Sequence, residues 1–103
     1  MSDKIKTDLN GVWIQTDKGT KSGIRWDEVY SISISAIDGI IKSYRYLTFD
    51  FEFGEFIETY DQMEGFDELL DEVSKRFLLP KDFRTKLFEM QAGDVPLTIW
   101  QKC

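Results

Sequence analysis

Up to Tyr60 the chain alternates apolar and polar side chains with a period of two, and beyond Gly65 the period becomes helical. A two-residue repeat marks a strand with one face buried, and the longer repeat marks a helix lying on a core. The strictest alternation is at Tyr30 to Ala36. There Tyr30, Ile32, Ile34 and Ala36 point one way and Ser31, Ser33 and Ser35 the other. Leu47, Phe49, Phe51 and Phe53 repeat the pattern, with Thr48, Asp50 and Glu52 opposite them. This second strand is expected to bury all four apolar residues.

Residues 11–16 suit an earlier strand, and the polar stretch 17–23 reads as a turn. Gly23 to Tyr30 reads as a short strand or the approach to the next one. Asp38-Gly39 is a two-residue hairpin signal, because glycine accepts the positive φ of a type I′ turn. A wider loop reaching Arg45 is the alternative. Gly54-Glu55 marks a further reversal before a strand over Phe56 to Tyr60.

Phe66, Leu69, Leu70, Val73 and Phe77 then form an amphipathic stripe. Asp67 and Glu68 in its first turn and Lys75 and Arg76 in its last suit the helix dipole. Pro80 is expected to end this helix. A shorter one follows around Asp82 to Met90, with Phe83, Leu87 and Met90 apolar, and Val95 to Gln101 reads as a final strand. Pro96 assigns that strand to a sheet edge, since proline cannot donate to a ladder. The expectation is an α+β fold: an antiparallel meander of five or six strands and an amphipathic helix on one face. A short second helix and a final edge strand complete it. Residues 1–103 are read as one domain, with 1–9 flexible.

Composition supports a core: 42% of the residues are apolar and 15% aromatic, which argues against disorder. The apolar runs are too short to span a bilayer, and the opening residues lack the apolar stretch of a secretory signal. The single cysteine, Cys103, leaves no intrachain disulfide. A cytoplasmic protein without membrane contact is expected. The absence of histidine removes Ser-His-Asp and Cys-His systems and most zinc chemistry. There is also no phosphate-binding loop, EF-hand loop or nucleophile elbow. No catalytic, cofactor-binding or metal-binding residue is expected, so the chain reads as a binder and not an enzyme.

Charge changes the picture most. The net charge is −6, yet the segment from Asp50 to Glu72 holds ten carboxylates and no Lys or Arg. The remaining residues therefore carry a net +4. An acidic balance argues against nucleic acid as a partner and favours a basic protein, whose approach such a face accelerates. Asp50 and Glu52, two apart on the expected strand, would project together, roughly 7 Å apart. Tyr44 and Tyr46 would share that face, and tyrosine among carboxylates is a common interface composition. The expected contacts are Tyr46, Asp50, Glu52, Glu58, Tyr60 and Asp61. Glu64, Asp67, Glu68 and Asp71 would extend the same face along the helix.

The blocks Gly23-Ile-Arg-Trp-Asp-Glu-Val, Ile34-Ser-Ala, Leu47-Thr-Phe-Asp-Phe and Glu64-Gly-Phe-Asp-Glu-Leu-Leu, with the closing Pro-Leu-Thr-Ile-Trp, span residues 11–101. In content and spacing they resemble small bacterial proteins encoded beside polymorphic or contact-dependent growth-inhibition toxins, and look like their immunity proteins. The resemblance implies a cytoplasmic inhibitor that binds a cognate toxin domain, often a basic nuclease, and occludes its active site or groove. It carries over no individual contact residue, because immunity interfaces vary with the toxin. The alternative class is a small adaptor that offers a sheet edge to an extended peptide or protein segment. A carboxylate enzyme would need Asp50 and Glu52 to line a pocket.

Overall fold

The structure, a computed structural model, describes residues 3–102 apart from Asp17 and Thr20. Cys103, and parts of the turn expected at 17–23 and of the flexible segment expected at 1–9, lie outside the described residues. Among the described residues the chain forms seven strands and two α-helices. These are β1 (Lys4–Thr7), β2 (Gly11–Gln15), β3 (Lys21–Arg25), β4 (Ser31–Asp38), β5 (Ser43–Asp50), β6 (Phe56–Tyr60) and β7 (Leu97–Gln101). The helices are α1 (Phe66–Arg76) and α2 (Phe83–Glu89), and a 3-10 turn at Trp26–Glu28 follows β3.

The architecture is α+β, as the patterning predicts, but the strands do not make one meander. They form two antiparallel sheets, β1-β2-β3 and β6-β5-β4-β7. The break falls at the 3-10 turn, where the Glu28 carboxylate accepts the Arg25 amide at 3.0 Å and halts the strand. The segment read as flexible supplies β1, because Ile5 has an apolar site to fill. It is 6% exposed, and its amide donates to the Glu64 carbonyl at 2.7 Å.

Both sheets and both helices meet in one core. Val12 and Ile24 come from the first sheet, Ile32, Ile34, Leu47 and Phe49 from the second, and Leu69, Val73 and Leu87 from the helices. Burying a side chain of this size contributes about 1.5–3 kcal/mol. The period-two reading holds for β4, where Ile32, Ile34 and Ala36 are buried and Ser31, Ser33 and Ser35 lie on the other face. The helical reading holds for α1, which buries Phe66, Leu69, Leu70 and Val73. Phe77 is not part of α1. It caps the helix in an extended conformation, three residues before Pro80, so the proline does not itself end the helix. Phe77 instead packs edge-on to Trp26 at 6.0 Å and Trp100 at 4.6 Å, tying the 3-10 turn to β7.

Two reversals differ from expectation. At the β4–β5 hairpin Asp38 pairs with Ser43, and the Gly39 amide donates to the Lys42 carbonyl at 2.8 Å. The loop is thus residues 39–42, wider than a two-residue turn but ending short of Arg45, which is paired in β5, and Gly39 has no positive φ. Glycine is needed there for space: an added Cβ would sit 2.5 Å from the Tyr44 ring. At the far end β5 stops at Asp50. The Phe51 amide donates to the Glu55 carbonyl at 2.8 Å, and Gly54 takes φ 100°. Glu52 and Phe53 therefore lie in the turn, and Phe53 is 73% exposed instead of in the core. β7 lies at the edge of its sheet, directly after Pro96, as expected. Among the described residues no helix is long and apolar enough to cross a membrane.

Candidate functional site

The four-stranded sheet has two unlike faces. One carries Ile32, Ile34, Leu47, Phe49 and Thr59 into the core. By register the other presents Ser33, Ser35 and Ile37 from β4, Tyr44, Tyr46 and Thr48 from β5, and Phe56, Glu58 and Tyr60 from β6. None of these nine side chains is fully buried; Ile37 and Phe56 are 49% and 55% exposed. Both helices pack on the core side, so neither covers this outer face, whose residues are half-buried to exposed.

Its centre is aromatic. Tyr46 and Tyr60 are directly paired across β5 and β6, with ring centroids 5.5 Å apart. Tyr44 meets Tyr60 edge-on at 5.8 Å. Partial burial is the main reason the Tyr46 hydroxyl is held above its ordinary pKa. The negative charge of Glu58 adds to this, and Tyr60, Tyr44 and Asp61 contribute less. Burial and nearby negative charge both disfavour the phenolate. Tyr46 therefore stays neutral, with its hydroxyl able to donate.

The acidic residues do not act as one surface. Glu58 is exposed beside the tyrosines and has no hydrogen bond or ion pair among the described residues. Asp61 directly follows Tyr60 in the chain, but its Oδ1 accepts the Arg45 amide at 3.3 Å. Asp50, at the far end of β5, accepts the Ser31 hydroxyl at 2.7 Å. Glu52 has left the strand altogether, so the expected Asp50/Glu52 couple on one pleat is not formed. Its reason is the early turn around Gly54.

The helical positions belong elsewhere. The residues of α1 that face the core join the same cluster as the inner face of the sheet. The core thus separates Asp67, Glu68 and Asp71 from the tyrosines, and the single strand-and-helix face expected from sequence is not present. Basic residues from outside the acidic segment also fold back onto it. Glu64 pairs with Lys4 at 3.7 Å, Glu72 with Arg76 at 3.0 Å, and Asp71 with Arg84. These are solvent-accessible pairs worth about 0–1 kcal/mol each, yet they remove charge that the sequence leaves unbalanced.

The structure thus brings together Tyr46, Glu58, Tyr60 and Asp61, keeps Asp50 on the same face but at its far end beside Phe56, and sets Glu52, Glu64, Asp67, Glu68 and Asp71 apart from them. Tyr44 and Thr48 lie on the face as expected, and the structure adds Phe56 and Ile37 to it. Alternation along each strand reveals such residues singly; their juxtaposition depends on register. What the arrangement can do chemically is bind: it offers a broad aromatic surface, hydroxyl donors and one free carboxylate. These features define an α+β domain with one open, tyrosine-centred sheet face. No protein-family model matches the chain, and neither does any curated protein or solved structure.

Proposed function

We propose that this chain is a non-catalytic binding protein that holds a basic protein partner against the open face of its four-stranded sheet. The observation that carries the reading is the Tyr46–Tyr60 pair beside the unpartnered Glu58 on a face that no helix covers. Tyrosine supplies large contact area at low conformational cost and is enriched among interface residues that dominate binding. Glu58 supplies the charge that selects and steers a cationic surface. The family resemblance favours a cytoplasmic immunity role, in which the partner is a cognate, nuclease-like toxin domain.

Affinity capture from the native bacterium with the wild-type chain and with a Tyr46→Ala/Tyr60→Ala variant tests this. A basic protein retained by the wild type and lost with the variant is expected. Equal retention by both contradicts the assignment of the face. The competing adaptor reading rests on a different feature, the edge strand β7. Capture abolished by proline at Thr98 in that strand, yet intact in the double alanine variant, would favour it.

A further inference from the structure

The early turn that removes Glu52 and Phe53 from β5 builds a second feature, at the opposite end of that strand from Tyr44 and Tyr46. A cavity of about 230 Å³ opens between the 3-10 turn and the β5–β6 reversal. Tyr30, Phe51 and Phe53 line it together with the carboxylate residues Asp27, Glu28 and Glu52, and Lys102 closes one side. Phe51 and Phe53 are stacked, with centroids 5.2 Å apart and planes 25° apart.

Folding explains Phe51, which packs against the core, but not Phe53. Phe53 is 73% exposed, so its ring gains little from burial, although the turn holds it against Phe51. Aromatic faces and carboxylates have one ligand chemistry in common, an organic cation, which the ring quadrupole and the negative charge both attract. Among the described residues no three carboxylates gather closely enough to hold a metal ion.

The site's own cations leave room for another. Lys102 Nζ is 3.4 Å from the Asp27 carbonyl oxygen and makes no ion pair with the lining carboxylates among the described residues. Arg25 engages Asp27 from outside at 3.4 Å, and the Arg25 amide uses Glu28. Glu52 has no hydrogen bond or ion pair among the described residues.

We infer that this cleft receives the cationic side chain of an arginine or lysine presented by a protein partner. The inference deepens the proposed binding of a basic partner, with a contact separate from the tyrosine face. Its test is independent of the partner. The full chain, labelled with ¹⁵N, is titrated with Nα-acetylarginine methylamide, with the lysine analogue, and with the neutral citrulline analogue.

Saturable shifts centred on the amides of Tyr30, Phe51, Glu52 and Phe53 are expected with a cationic ligand and not with citrulline. The stronger of the two cations identifies the preferred head group. Phe53→Ala should weaken binding about two- to fivefold, and Glu52→Gln should weaken it as well. Both substitutions are at exposed turn positions, and unchanged spectra away from the turn verify the fold. Tyr46→Ala should leave this binding unchanged, which separates failure of the cleft from failure of the tyrosine face. Three results would overturn the inference: non-saturating shifts scattered over the acidic surface, citrulline binding as tightly as the cations, or full binding by both turn variants.

Discussion

Tyr46 and Tyr60 occupy directly opposed positions on neighbouring strands, and their rings lie 5.5 Å apart on the solvent side of the sheet. Tyr60 also packs against the edge of the core, while both rings stay partly exposed on the outer face. The contact also sets the protonation chemistry of the face. Burial first, and then Glu58, raise the Tyr46 pKa from the ordinary 10.0. A proton held more tightly by the folded chain stabilises it below the unfolded pKa, and that contribution is lost as pH rises through the folded value. Stability should therefore decline from about pH 10 upward, and less steeply in Tyr46→Phe. Denaturant midpoints across that range, with ultraviolet titration of the phenolates, check it.

Asp8 gives the acid-side counterpart. Its Oδ1 accepts the Asn10 and Gly11 amides at 2.7 and 3.0 Å, and its Oδ2 accepts Trp13 Nε1 at 2.9 Å. The Asn10 bond is the largest influence, and desolvation, the next, opposes it. With Gly11, Trp13 and Arg76 adding to the effect, the carboxyl is held below 3.8. A depressed folded pKa means stability present above the unfolded value and lost as pH falls through the folded one. Asp8→Asn should unfold more easily at neutral pH and show a shallower further loss below about pH 4. Carboxyl NMR titration of Asp8 gives the direct reading.

The docking of β1 is testable through two glycines. Gly54 and Gly65 both have positive φ, 100° and 94°. Nothing lies within 4 Å of a Cβ added at Gly54, whereas at Gly65 it would be 2.3 Å from the Ile5 carbonyl oxygen. Alanine at Gly54 should cost about 1–2 kcal/mol from left-handed strain alone. Gly65→Ala should cost clearly more and detach β1, visible as lost amide protection at Ile5. Equal costs would mean that β1 is not held against the approach to α1.

Thr59 is the one buried polar residue among the described residues, and its hydroxyl donates to the Leu47 carbonyl at 2.8 Å. Thr59→Val keeps the volume and removes the bond. Urea unfolding should show a loss of about 1 kcal/mol.

These relationships separate what the chain's pattern carries from what it does not. Alternation at Tyr30 to Ala36 and the stripe from Phe66 to Val73 each report a single element against a core, and both are legible because burial acts on one side chain at a time. Division into two sheets was not legible. It depends on a 3-10 turn at Trp26–Glu28 that interrupts an otherwise strand-like run. Phe53 misled because an aromatic at the right parity looks buried until the turn around Gly54 is known. The acidic segment misled for a related reason: adjacency in sequence is not adjacency in space. Lys4, Arg76 and Arg84 reach carboxylates that have no cation near them in sequence order within the segment, and only Glu58 of the sheet acids remains beside the tyrosines without a partner among the described residues.

The tyrosine face with Glu58 is the surface proposed to steer and hold a basic partner. Association kinetics of the captured partner with the wild type and with Glu58→Lys, from about 0.02 to about 0.5 M salt, test it most directly. The account predicts a wild-type rate that falls by about tenfold or more over that range. The variant should be slower at low salt and converge with the wild type at high salt. A rate independent of salt, or a Glu58→Lys variant that associates as fast as the wild type at low salt, would contradict it.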